Sequence, residues 1–221
     1  MEGEYKPTKK IEQGNKKFTG LTTFPVPFTL GEIKENITIT TNTFSEFSKE
    51  QKINQAFKFH AQGNILEAAK LYQYFINQGF TDHRVFSNYG TILKNLGKLK
   101  DAELAYRKAI ELNPDFADAH SNLGNILRDL GNFQEAECSF RKAIELNPDY
   151  AEAHYNLGVI LSGLGELTGA EISYRKAIEL NPDFADSYSN LGIILRNLGK
   201  FNEAELLYRK AIEINPDYAE A

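Results

Sequence analysis

Four histidines and one cysteine are the residues of this chain whose types lend themselves to metal binding or nucleophilic attack: His60, His83, His120, His154 and Cys138. Their spacing works against both. His120 and His154 stand 34 residues apart, at equivalent places of a repeated pattern. That separates them by a whole structural unit, too far to share an ion whose ligand bonds are ~2 Å. They are read as packing residues. A lone cysteine can form neither an internal disulfide nor a thiolate cage, and no base stands near Cys138 in the sequence, so it is read as a spectator thiol. There is no glycine-rich phosphate loop after a strand, no nucleophile elbow and no Glu-bearing metal helix. No catalytic residue, metal site or cofactor is expected, and these residues are not read as an enzyme.

Amides and charges in register carry the stronger signal. Asn88, Asn122, Asn156 and Asn190 recur every 34 residues. Asparagine is a mediocre helix former that a solvated helix face does not require. Its side chain offers an acceptor and two donors, so it can pair with both groups of a peptide backbone without reading the guest's side chains. Asn125 lies near Asn122; Asp118, Glu152 and Asp186 form an acidic row that Arg84 interrupts; Arg128 and Arg196 flank the other side. Together these predict a grip on an extended, polar or mildly basic peptide. Polar filler or capping is the alternative reading of the asparagines. Stacked units lie about 10 Å apart, a distance an extended chain covers in about three residues. Each hydrogen bond contributes only about 0.5–1.5 kcal/mol, so affinity must come from several rungs.

The elements that position these residues follow from the period. Ala109-Ile-Glu-Leu-Asn-Pro-Asp115 recurs at 143–149, 177–183 and 211–217, and Asn-Leu-Gly recurs at 122–124, 156–158 and 190–192, with Asn88-Tyr89-Gly90 as its variant. In 117–150, Leu123, Leu127 and Leu130 form one stripe at helical spacing, predicting a helix from about Ala117 to Leu130. Asp118, Asn122, Asn125 and Asp129 lie on roughly the opposite side. Gly131-Asn132 breaks the helix, and a second is predicted from Phe133 to Leu146, ending at Asn147-Pro148 because proline cannot continue it. So short a break makes the two helices antiparallel neighbours. Gly124, Gly158 and Gly192 sit mid-helix, where glycine costs about 1 kcal/mol relative to alanine. That repeated cost predicts a neighbouring helix too close for a side chain, with Ala102, Ala136, Ala170 and Ala204 as facing partners. Glu103–Arg107, Glu137–Arg141, Glu171–Arg175 and Glu205–Arg209 are i,i+4 pairs of about 0.2–0.5 kcal/mol each.

The order His120, Leu123-Gly124, Ala136, Phe140, Ala143, Pro148 resembles the tetratricopeptide repeat, whose 34-residue unit has a large residue, Leu-Gly, Ala, an aromatic, Ala and Pro at this spacing. The likeness holds across 83–218; Phe86 and Tyr188 fit the first position better than His120 and His154 do. It implies an all-α fold, a right-handed α-solenoid of antiparallel hairpins, with units at 83–116, 117–150, 151–184 and 185–218. Residues 49–82 fit the same frame as a degenerate unit, with Lys52 and Phe80 departing from it; a worn end unit suits a cap. The array is similar to that of O-GlcNAc transferase-like proteins, where first helices face the concave groove and carry an asparagine ladder. That resemblance implies two functions: a scaffold binding an extended peptide, or the substrate-recruiting region of a larger glycosyltransferase lying past residue 221.

The ends differ. Residues 1–48 keep no helical or strand period and are expected to be a flexible, largely disordered tail. Phe24-Pro-Val-Pro-Phe28 is its one candidate docking segment. Pro216 to Ala221 repeats Pro148 to Ala153, so 219–221 is read as the start of a further repeat. Tyr208, Ala211 and Ile212 would then be bare, and self-association through this uncapped repeat is one use for them. A formal net charge of −5 argues against binding nucleic acid, no run of about 18 apolar residues offers a membrane span, and the first twenty residues lack a signal-peptide core. A cytoplasmic protein with a protein or peptide partner is the expectation.

Overall fold

Glycine and proline punctuation cuts the helical region into hairpins. The computed structural model describes residues 21–23, 38–40 and 49–217. Among them the first helices are α1 (Lys49–Ala61), α3 (His83–Asn95), α5 (Ala117–Asp129), α7 (Ala151–Gly163) and α9 (Ala185–Asn197). The second helices are α2 (Ile65–Asn77), α4 (Leu99–Leu112), α6 (Phe133–Leu146), α8 (Leu167–Leu180) and α10 (Phe201–Ile214). Gly131 follows α5 at φ 79°, a left-handed conformation that glycine adopts without penalty. The Asn-Pro-Asp linkers close by side chain: Asn147 Oδ1 accepts from the Asp149 amide at 3.3 Å, and Asn113, Asn181 and Asn215 do the same in theirs.

Each hairpin from the second to the fifth is locked by an aromatic ring lying on a glycine; in the first, Ala56 stands at that place. A Cβ added at Gly124 would stand 2.8 Å from the Phe140 ring, and one at Gly158 or Gly192 would stand 2.7 Å from Tyr174 or Tyr208. The glycines therefore do mark a close approach, but the facing groups are Tyr106, Phe140, Tyr174 and Tyr208 and not the alanines expected there. The physical reason is length: a ring four residues after the alanine reaches back one turn and fills the space itself. Ala102, Ala136, Ala170 and Ala204 are buried beside it.

Second helices pack on the next hairpin's first helix, α4 on α5, α6 on α7 and α8 on α9. Successive first helices also touch, and they approach one another more closely than successive second helices do. A stack with unequal spacing on its two sides must bend, so the first helices take the inner side. His120 Nε2 donates to the Pro114 carbonyl at 2.9 Å, and His154 Nε2 to that of Pro148. A carbonyl only accepts, so Nε2 carries the proton in each ring. The histidines tie each hairpin to the linker before it. The Glu–Arg pairs form as expected, and two of the arginines also bridge hairpins: Arg107 Nη2 lies 2.9 Å from Glu103 and 2.7 Å from Glu135 of the next hairpin. Arg175 likewise reaches Glu203 at 3.3 Å. Arg141 has no such partner in the next hairpin, because Gly169 stands where Glu135 and Glu203 stand in theirs.

The two ends of the stack are unlike. Gln55 and Lys58 on α1, and Gln62 just after it, are exposed at the places where Leu123, Ile126 and Leu130 pack in the third hairpin, so this end is solvated. At the other end Ala211 is buried and Tyr208 half-buried, contrary to the bare face expected of them. Both lie on the side of α10 that faces α9, where Tyr208 covers Gly192. On α10 the large apolar groups left exposed are Phe201, Leu206 and Ile212, the last as expected.

In the amino-terminal region, β1 (Leu21–Thr23) pairs antiparallel with β2 (Thr38–Thr40), Leu21 opposite Thr40. The pairing joins two short triplets rich in β-branched residues, too brief to show a period. The rest of the expected flexible tail over 1–48, including Phe24 to Phe28, lies outside the described residues, as does the expected further-repeat start at 219–221.

The first hairpin is pinned to the second by charge. Asp82 caps α3, accepting from the Arg84 amide at 2.9 Å, and Arg84 Nη2 contacts Asp82 at 2.7 Å and Glu50 at 3.1 Å. Burial alone would raise the Asp82 carboxyl, but the hydrogen bonds and charge of Arg84 hold it below the ordinary value. A carboxyl lowered on folding stabilises the fold above its unfolded pKa, and that contribution disappears as pH falls through the folded pKa. Thermal unfolding followed from neutral pH into acid should therefore show a stability loss that Asp82→Asn blunts. An identical acid slope in the variant would remove Asp82 from the account.

Candidate peptide-binding face

On each first helix the residues two, six, nine and twelve places from the start of the unit share one arc at 100° per residue. In α5 these are Asp118, Asn122, Asn125 and Arg128. Leu123 and Leu127, on the opposite side, are buried, and Asp118 and Asp129 are exposed. The first helices form the inner side of the bend, so this arc is the inner face. The structure brings all ten candidate residues onto it, in four rows running from hairpin to hairpin.

The asparagine row is not uniform. The amides of Asn88 and Asn122 have no hydrogen-bond partner among the described residues. Asn156 is 9% exposed, and its Oδ1 accepts from Arg128 Nη1 at 3.0 Å. Asn190 Nδ2 donates to the Tyr155 hydroxyl at 3.2 Å. Two rungs are thus open, and two are partly engaged by neighbours that arrive only through stacking. Asn54 on α1 continues the row and is exposed. The local pattern does not mark it, because the worn first unit has Gln55-Ala56 where the others have Leu-Gly or Tyr89-Gly90; carrying the period back one unit from Asn88 finds it.

In the acidic row Asp118, Glu152 and Asp186 are exposed. The interruption at Arg84 is neutralised by Asp82 and Glu50, the latter being the row's own member in the first hairpin. Tyr150 lies against Asp118: burial raises its phenol, with a hydrogen bond from Ser121 opposing and the charges of Asp118 and Glu152 adding to the rise. Tyr155 replaces the serine found in the equivalent place at Ser87, Ser121 and Ser189. Burial raises its phenol too, with Asp186 adding and Asn190 and Arg128 opposing. Its ring packs 4.7 Å from Phe184. Arg128 also reaches Asp129, at 3.1 Å, whereas Arg196 is exposed.

The middle row changes character along the stack: Phe57, Thr91, Asn125, Val159, Ile193. Val159 is half-buried and Ile193 is 38% exposed. A separate cleft of about 360 Å³, lined by Phe86, Tyr89, Leu93 and Leu104, opens between α3 and α4. Its α3 residues lie on the side opposite the inner arc, so it is no part of these rows. Among the described residues no group of His, Cys, Asp and Glu is placed to hold a metal, Cys138 is exposed, and no helix is long and apolar enough to cross a membrane.

Models described as TPR repeat match residues 90–127 and 124–165, and models described as tetratricopeptide repeat match 151–184 and 185–218. No curated protein matches the chain. Among solved structures, the chain is similar to MamA at 26% identity and a TM-score of 0.67, covering 75% of this chain and 97% of that one. It is similar to YrrB, described as a TPR protein with an unusual peptide-binding site, at 24% identity and a TM-score of 0.64, covering 75% and 86%. Pseudomonas aeruginosa PilF is similar at 17% identity and a TM-score of 0.67, covering 75% and 76%. The last two likenesses bear on the fold alone.

Proposed function

Because this chain belongs to the tetratricopeptide repeat family, we propose that it is an interaction scaffold whose inner face grips an extended segment of another protein. One observation carries this reading. Asn88 and Asn122 stand in register on adjacent first helices, on the inner side, with amides that no described residue engages. An amide held open on a rigid helix is pre-organised for a peptide backbone, which it meets without paying the ordering entropy a loop would. YrrB supports the reading at the level of the fold, since the same architecture carries a peptide-binding site there. The acidic row favours guests with basic side chains and disfavours acidic ones.

The test is a titration of the wild-type chain and its variants with the tightest-binding sequence from a random peptide array. Asn122→Ala should weaken binding by about 1 kcal/mol, roughly fivefold in Kd. Asn88→Ala with Asn122→Ala should weaken it further, and Asn156→Ala less than Asn122→Ala, because Arg128 already holds the Asn156 oxygen. Unchanged Kd in the double variant, or an array in which acidic sequences bind best, would overturn the grip. A transferase following this region in a longer gene product would use the same grip to hold its substrate, so these variants test the contact in either setting.

A further inference from the structure

The rows of the inner face are ordered along each helix, and that order has a consequence for the guest. On α9, Asn190 lies four residues past Asp186 and Ile193 three past Asn190, or about 6 Å and 4.5 Å along the axis. On α7 the same order is Glu152, Asn156, Val159. A peptide backbone seated on the asparagine row therefore has carboxylates along one edge and aliphatic side chains along the other. Beyond the aliphatic edge, three residues past Ile193, stands the exposed Arg196. Successive side chains of an extended chain point to opposite sides. One set faces Glu152 and Asp186, the other faces Val159 and Ile193.

Building on the grip proposed above, we infer that the stretch of the face over α7 and α9 selects a segment in which basic and aliphatic residues alternate. Charge complementarity fixes the first set: a Lys or Arg on the carboxylate edge is attracted, and one on the opposite edge would meet the guanidinium of Arg196. Burial fixes the second. Ile193 is 38% exposed at the centre of the arc, and covering it and Val159 with an aliphatic side chain removes apolar surface from water. Hairpins repeat about every three residues of guest, and a long basic side chain spans the mismatch between that interval and the two-residue alternation. Over α3 and α5 the same row holds Thr91 and Asn125, and over α1 it holds Phe57, whose ring lies under the Arg84 guanidinium, so the aliphatic preference is confined to the later hairpins.

Three synthetic peptides of about twelve residues, long enough to cross four hairpins, decide the matter by fluorescence anisotropy. One alternates Lys and Val; the second has the same composition in two blocks; the third alternates Glu and Val. The alternating Lys-Val peptide should bind about tenfold tighter than the blocked one, and the Glu-Val peptide weakest. Val159→Asn with Ile193→Asn copies the residue that Asn125 supplies in the hairpin before, so the helices should persist by circular dichroism. In that variant the preference for alternation should vanish. Equal affinity for alternating and blocked peptides, no binding of the alternating peptide, or a preference intact in the double variant would each overturn the inference. The grip is judged separately, by the Asn88 and Asn122 variants on the array-selected peptide; losses there without any effect of residue order would leave the grip standing and remove the alternation.

Discussion

Phe140→Ala is expected to lower the free energy of unfolding by about 3–5 kcal/mol, among the largest losses any single truncation can produce in this chain. Phe140 is fully buried at the centre of the third hairpin, and its ring lies directly on Gly124. Truncation leaves a hole that the facing residue cannot fill, because glycine has no side chain to move into it. The neighbours on that side are helix backbone, which collapses little. The consequence extends past the hairpin. In a solenoid each unit is held only by its neighbours, so stability is a sum of unit and interface contributions. Weakening the central unit separates the hairpins before it from those after it. Urea unfolding followed by circular dichroism should show a lower midpoint and a broadened or split transition, since the single cooperative step no longer spans the stack. A loss below about 1 kcal/mol would show that the ring is not what holds the hairpin closed.

Gly158→Ala is the second. On helix propensity alone the change should stabilise α7 by about 1 kcal/mol. The structure reverses the sign. The added Cβ would stand 2.7 Å from Tyr174 Cε1 and 2.8 Å from its Cδ1, inside any real carbon–carbon contact. Tyr174 is itself 2% exposed, so its ring has nowhere to swing. Overpacking of this kind costs typically about 1–3 kcal/mol, and the net loss should be of that order. Two comparisons make the reading specific. Gly90→Ala should cost less, because there the nearest ring atoms lie at 3.0 Å. Tyr174→Leu should recover part of the Gly158→Ala loss, by vacating the ring's edge; a double-mutant cycle with no coupling between the two positions would refute the contact.

These two variants also show where reading the sequence reaches its limit. The period made the need for a small residue at Gly158 legible, because a helix does not keep a costly glycine in unit after unit without a neighbour close by. It did not show which neighbour. Ala170 and Tyr174 lie four residues apart on the same face of α8, and periodicity treats them alike. Only the packed pair distinguishes the alanine that lets the backbones approach from the ring that fills the gap. The asparagines divide the same way. Their register and their side of the helix follow from 34-residue spacing and the angle per residue. Whether an amide is open or taken depends on Arg128, 28 residues before Asn156, and on Tyr155, 35 residues before Asn190. No local pattern links such pairs.

The hairpins, their boundaries near Gly131 and Pro148, and the division of each first helix into a packed and a polar side were determined by the sequence alone, because helix propensity, breakers and hydrophobic period act between residues a few places apart. Stacking decided the rest: the bend that puts the first helices inside, the histidines bound to the preceding linkers, the arginines that bridge hairpins, and the change from Asn125 to Ile193 along one inner row. Those features arise between residues brought together by the pitch of the stack. The chain encodes that pitch through the fit of rings on glycines, and it becomes visible only once the helices are packed.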